Sequence, residues 1–492
     1  MAKDAGAITR RTLIGTAAAA GAAAAVPSAS EAARRRPRGR RVDVAIVGAG
    51  LAGLTAARAL ARRGRSVAVL EASAEVGGRT RTVPIGGGEV VDVGGQWIGP
   101  TQDRIRGLAR SLGVREFLTY NTGRNVYLYK GRREEYSGAI PPLSGPVLSD
   151  VATALGTINT LAQEVPRDAP WTAARAKEWD HQTVESWKQA TMKTDEGKFV
   201  FDLGFKAVWA AEPGDVSLLH ALFYVTAAGN ARTPGSFDRL INVEGGAQER
   251  RFAGGAQQVS TRMARALGRS VRLGAPVRVI EQTGRSARVV ADGVTVQARR
   301  VIVAIPPAMT AAIRFSPDLP SMRAQLVQRF PQASAIKFEA VYDRPFWRDA
   351  GLTGQFTADN GPVGVTFDNS PQDGRPGVML GFLEGDDARV WSQRPNRVRR
   401  AAVLKQFVAA YGASAARPKM VIQQNWANDP HIRGCYEGYL PPGALSSYGP
   451  WIRKPVGRVH WAGTETSTLW AGYMDGAVRS GERAAAEVLR GL

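Results

Sequence analysis

The stretch VDVAIVGAGLAGLTAARALARRGRSVAVLE constrains this chain of 492 residues more than any other. Val42–Val47 is a nearly continuous apolar run, as a parallel strand buried on both faces requires. Gly48, Gly50 and Gly53 follow as G-x-G-x-x-G and open an Ala/Leu-rich amphipathic helix. A second strand, Ser66–Leu70, then ends on Glu71. Gly48 makes the tight turn, Gly50 lets backbone approach a pyrophosphate, and Gly53 lets helix and strand pack closely. The helix N-terminus favours anionic phosphates. Glu71 can accept ribose hydroxyls and disfavours a 2′-phosphate. Strand, turn, helix, strand and acid in this register predict a dinucleotide-binding α/β domain.

The segment after Glu71 separates FAD from NAD. VGGRTRT places Gly77, Gly78 and Arg79 just past the acid, where the arginine can reach back to a pyrophosphate. In VDVGGQWIGPTQDRI the pair Gly94–Gly95 permits a second close backbone approach. Each glycine pair alone reads equally well as a turn; together they favour a long flavin cofactor. Mid-chain, EGGAQERRFAGGAQQVSTRMARAL reads as a loop and an amphipathic helix. VRLGAPVRVIEQ and RRVIVAIPP read as strands that rejoin the first sheet. Near the end, Arg458–Trp461 is strand-like and a small-residue helix runs from Gly472. Its N-terminus could donate N–H groups to a flavin ring and stabilise negative charge there. The expected fold is therefore α/β: a Rossmann-type FAD-binding domain from residues 42–117, 253–326 and 429–492. Residues 118–252 and 327–428 would form an α+β substrate domain.

The chain is basic, with 65 Lys+Arg against 43 Asp+Glu. Nucleic-acid binding is one consequence of such a balance, but the arginines are scattered over expected helix surfaces, which favours a solvated face. The dense run RRRPRGRR, Arg34–Arg41, reads as a linker. Ahead of it, TRRTLIG and the Ala-rich Leu13–Val26 have the form of a signal peptide, so residues 1–41 are expected to be export signal and linker. The adjacent arginines resemble twin-arginine signals, which export folded proteins, so a periplasmic or extracellular location is expected. No later apolar run has the length of a membrane span. Four scattered histidines and a single cysteine form no metal-ligand cluster.

The motifs GAGLAGL, VGGRT, GGQWIGPTQDRI, GGAQERRFAGG, AIPP, RPFWR, GCY with PPG downstream, and AGTETSTLWAGYMDGAVRSGERAA resemble, in order, the flavin-containing monoamine oxidase family. The resemblance implies that Cys435 occupies the place where many members bond the 8α-methyl of FAD, whereas others bind FAD non-covalently. It implies that Tyr436 and Tyr473 are the paired rings standing before the flavin, and that Lys337 holds a water at N5 and assists oxygen reduction. Trp426 would pack beside the flavin and Val277 contact the adenine end. Gln96, Glu465 and Met474 lie in the same motifs as Gly95 and Tyr473 and are assigned to the cofactor with them. Gln248 corresponds to a glutamine near the pocket, with Ala247 blurring the local alignment. Val365 stands where some members have a bulky tyrosine, which would open the substrate cavity. Membrane-bound animal members carry a C-terminal apolar anchor that is not seen after the last helix.

The reaction implied is oxidative deamination of a primary amine by O2, giving aldehyde, ammonia and H2O2. The expected partners are a small amine and O2, with a homodimer left open. An L-amino acid oxidase would need a pocket arginine for the substrate carboxylate. A diamine or polyamine oxidase would need an acid at the far end of the tunnel. A flavin-binding scaffold without activity is the alternative of a different class.

Overall fold

Two large sheets organise the chain, and each draws its strands from distant segments. The structure, a computed structural model, describes residues 40–492. The expected export signal and most of the basic linker lie outside the described residues.

The first sheet has the order Val271–Arg272, Val67–Leu70, Arg40–Val47, Val294–Val303, Ala287–Ala291, Val277–Gln282, Arg314–Ser316, with Val459–Trp461 added alongside Val294–Val303. The strands flanking Arg40–Val47 run parallel to it, and Val459–Trp461 also joins in parallel. Val44, Ala45 and Ile46 are wholly buried between these neighbours, which accounts for the unbroken apolar run. N-terminal, central and C-terminal segments thus meet in one sheet.

Helix Leu51–Ala61 crosses one face of this sheet and is packed there by the last helix, Met474–Arg490. Met474, Val478, Gly481, Ala485 and Val488 recur at three- and four-residue steps and make its buried stripe. Ion pairs Arg479–Asp475 and Arg483–Glu487 brace successive turns. The helices approach so closely that a Cβ on Gly481 would lie 2.3 Å from the carbonyl oxygen of Ala52.

The second sheet runs Met420–Asn425, Ala335–Tyr342, Gly377–Glu384, Val365–Asp368, Leu352–Ala358, Arg124–Tyr129, Arg132–Tyr136. Ala335–Tyr342 and Gly377–Glu384 are buried along their whole lengths. Ile336, Phe338, Ala340 and Tyr342 pack with Phe407 and Val403 of helix Asn396–Tyr411 on one face. By alternation Lys337 and Glu339 point to the other face. A helical block, including Gly145–Gln163, Asp195–Trp209 and the fully buried Leu218–Ala227, closes the remaining side. Thr194 and Ser217 cap two of these helices through their hydroxyls. The described chain forms one compact unit, so the two sheets share a body. None of its helices is long and apolar enough to cross a membrane.

The helix contact yields a paired prediction. Gly481→Ala forces backbone apart and should cost about 1–3 kcal/mol of stability. Gly107→Ala, in helix Asp103–Ser111 with open space around it, should gain about 0.5–1 kcal/mol. Denaturant melts of the two variants against the parent measure both signs.

Candidate active site

The glycine turn is built as its spacing requires. Gly48 has φ +97° and a Cβ there would lie 2.8 Å from the Ala304 carbonyl oxygen. A Cβ on Gly53 would lie 2.0 Å from the Gly48 oxygen, whereas Gly50 has nothing nearer than Gly77 O at 3.8 Å. Gly48 and Gly53 are thus glycines for packing, and Gly50 leaves space for a ligand. Glu71 is buried beside the turn and accepts the Ala49 N–H at 2.6 Å and the Ser73 N–H at 2.8 Å. Each oxygen keeps a further lone pair for a hydroxyl donor.

One continuous cavity of ≈ 910 Å³ takes in this turn and most of the residues singled out from the sequence. Gly48, Gly50, Glu71, Arg79, Gly95, Gln96, Val277, Trp426, Cys435 and Met474 line it, as do Lys337, Tyr436, Tyr473, Gln248 and Val365. Gly53 and Glu465 do not line it. Glu465 stands behind Arg79, accepting from both guanidinium nitrogens at 2.6 and 3.1 Å. Arg79 also donates to the Tyr436 carbonyl at 3.1 Å. Burial opposes its charge, but Glu465 more than offsets this and holds the guanidinium firmly protonated. Arg79 is therefore held in place by protein partners at the cavity wall, with two of its five N–H donors left over.

Helix Leu51–Ala61 begins at the cavity with no side-chain cap, and so does Met474–Arg490, whose N-cap is Tyr473. Two uncapped helix N-termini, a glycine cradle that a Cβ would fill and a buried acid beside it fit FAD. Among the described residues no cluster suited to a metal ion is present.

Lys337 is 2 % exposed in a strand that is apolar apart from it and Glu339. Its ammonium donates to the Asp92 carbonyl, to Gly94 O at 3.2 Å and to Gln96 Oε1, and lies 3.6 Å from Glu339 Oε1. The Trp97 and Phe382 rings each lie 5.7 Å from it, with their centroids 5.8 Å apart. Asn369 ties the group together: its Nδ2 donates to both Glu339 oxygens and its Oδ1 accepts from Gln96 at 2.9 Å and from Arg251. Burial lowers the Lys337 pKa, partly countered by Glu339 and Asp92, and pushes Glu339 up to about 7.

Cys435 is buried, and burial pushes its thiol up to about 12. Tyr436, next to it, donates its hydroxyl to Glu384 Oε1 at 2.6 Å. Tyr473 packs edge-on to Trp470 at 4.8 Å and lies 6.0 Å from Tyr224, which donates to the buried Glu437 at 2.8 Å. Burial raises the pKa of Tyr436 and Tyr473 well beyond the usual phenol range, so both rings stay neutral. Trp426 fixes its indole by donating to Val93 O at 2.8 Å. Gln248 donates to Leu240 O at 2.9 Å, while its Oε1 is buried with no protein partner. Val365 packs with Leu380 and Phe382.

Sequence reasoning missed Glu384, Glu339 and Glu437. A signal existed for the first two, since each is an acid in a strand otherwise made of apolar residues and glycine apart from Lys337.

Comparison with known proteins agrees with this geometry. Residues 51–489 match the family described as flavin containing amine oxidoreductase. A Mycobacterium tuberculosis relative carried under the provisional name flavin-containing monoamine oxidase AofH is 42% identical over 447 residues, 91% of this chain and 96% of that one. The Bos taurus amine oxidase [flavin-containing] A is 37% identical over 459 residues, 92% and 86% of the two chains. Among solved structures, putrescine oxidase bound to putrescine superposes with a TM-score of 0.87 at 33% identity, covering 92% of this chain and 99% of that one. With the motifs, the cavity and these similarities in agreement, the chain belongs to the flavin-containing amine oxidoreductase family.

Proposed function

We infer that the chain is an FAD-dependent amine oxidase converting a primary amine, O2 and water to aldehyde, ammonia and H2O2. The observation that carries this is the single cavity joining the glycine cradle to Lys337 and both tyrosines. Bound FAD supplies the acceptor for the two electrons of the amine Cα–H bond and returns them to O2. Gly50 and the helix N-terminus behind it would receive the pyrophosphate, and Glu71 would accept from the ribose. Tyr436 and Tyr473 present neutral rings that orient the amine, and ring faces attract its cationic character. Val365, Phe382 and Leu203 give that part of the cavity an apolar lining, which favours the uncharged amine. Lys337 lines the cavity with its three N–H groups engaged by Asp92 O, Gly94 O and Gln96 Oε1, and it places positive charge where oxygen is reduced.

Among the described residues, both arginines that line the cavity are already paired with acids, which disfavours a carboxylate-bearing substrate. The lining arginines are Arg79, committed to Glu465, and Arg278, paired with Asp292 at 2.8 Å. Val365 leaves room for an arylalkylamine where a larger residue would narrow the cavity. Cys435 lines the cavity beside Tyr436, which supports a thioether to the flavin. The twin arginines near the N-terminus support export of the loaded, folded enzyme, and a covalent cofactor suits that route because it cannot be lost after export.

A panel of benzylamine, tyramine, phenethylamine, putrescine and an L-amino acid, read by peroxide release, tests the activity. Arylalkylamines should give peroxide, with KM falling as pH rises and the amine loses its proton; no peroxide from any amine would overturn the reading. Acid precipitation tests the link. The yellow colour should stay with the parent polypeptide and appear in the supernatant for Cys435→Ala.

A further inference from the structure

One strand holds Tyr436 from two sides. In Gly377–Glu384, Phe382 and Glu384 are two residues apart and so share a face, and both line the cavity. The Phe382 ring stands at 88° to that of Tyr436, with centroids 5.6 Å apart. Glu384 Oε1 accepts the Tyr436 hydroxyl at 2.6 Å. Ring edge and carboxylate together restrict both the tilt of the tyrosine and its displacement along the cavity.

Nothing else in the fold accounts for an acid at this position. Glu384 is 4 % exposed, in a strand whose other side chains are apolar. It directly precedes helix Gly385–Ser392 but does not cap it through its side chain. Lys206, the cation nearest in effect, is directed to Asp387 at 3.5 Å, and Glu212 and Asp387 add only like charge. Among the described residues, the one hydrogen bond its carboxylate makes is to Tyr436. A buried carboxylate costs stability unless it is paired or hydrogen-bonded, and here a single hydroxyl is that partner.

We propose that Glu384 is a positioning residue for amine oxidation, fixing the Tyr436 ring against Phe382 so that its face is presented to the substrate. The proposal rests on the reading that Tyr436 meets the amine. It acts through acceptance of the hydroxyl, so an uncharged acceptor of the same shape should serve.

The test uses holoenzyme and two readouts. One is kcat/KM for benzylamine. The other is the Kd of 2-phenylpropan-2-amine, which lacks a Cα–H and binds without being oxidised, read by calorimetry. Glu384→Leu should weaken Kd and lower kcat/KM about tenfold, the size of one lost hydrogen bond to a charged group. Glu384→Gln should restore both to within about threefold of the parent. Glu384→Leu within about twofold of the parent on both readouts would overturn the proposal. So would Glu384→Gln behaving like Glu384→Leu, since charge and not placement would then matter. If Glu384→Leu yields no folded holoenzyme, Tyr436→Phe removes the same bond from the other side and should show the same tenfold loss. Unchanged values for Tyr436→Phe would overturn the proposal equally. Tyr436→Leu separates the underlying reading: if it leaves both readouts unchanged, Tyr436 does not meet the amine at all.

Discussion

The buried ammonium of Lys337 ties the two sheets together. Removing such a charge from water costs several kcal/mol unless its protons find acceptors. Here the acceptors are the Asp92 and Gly94 carbonyls and Gln96 Oε1, all from the segment that follows the glycine turn. The lysine itself belongs to the second sheet. Satisfying it therefore fixes the Asp92–Gln96 segment against the Ala335–Tyr342 strand. Glu339, Asn369 and Arg251 complete the set, so that two cations and the acids Asp92 and Glu339 are buried as one connected group. Removing any one member would leave its partners unsatisfied.

The remaining chemistry depends on this arrangement. With Lys337 held at the wall, the cavity has a polar group on that side and apolar side chains from Val365, Phe382 and Leu203 elsewhere. The tyrosines are neutral because burial makes their ionisation costly. Each is backed by a buried acid, Tyr436 directly by Glu384 and Tyr473 through Tyr224 and Glu437. On the proposed reading the chain supplies binding, orientation and electrostatics, the tasks a protein performs around a flavin.

Much of this was legible in the sequence because it depends on local rules. Gly48, Gly50, Gly53 and Glu71 announce themselves through spacing, and the structure gives each glycine a distinct steric reason. Lys337 was assigned by resemblance, although a lysine in a run of apolar residues is also a local signal. The return of central and C-terminal strands to the first sheet was readable from their apolar patterns. What was not legible depends on pairings across the chain. Arg79 read as an arginine able to reach back to a pyrophosphate, but its ion pair with Glu465, 386 positions away, has no local signature. Glu465 itself sits behind that arginine, outside the cavity. The bond from Tyr436 to Glu384 spans 52 positions and has no local signature. Val365 and Gln248 owed their assignment to resemblance alone, and both line the cavity.

On the proposed reading, the buried Lys337 serves oxygen reduction as well as tying the two sheets together. Stopped-flow spectroscopy of Lys337→Met measures this by separating the two halves of the cycle. Anaerobic bleaching of the flavin by benzylamine should stay within about threefold of the parent, while reoxidation by O2 should slow by more than about tenfold, the loss of one charge-assisted contact in a dry site. Reoxidation at the parent's rate, with bleaching intact, would contradict the account and leave Lys337 a structural residue.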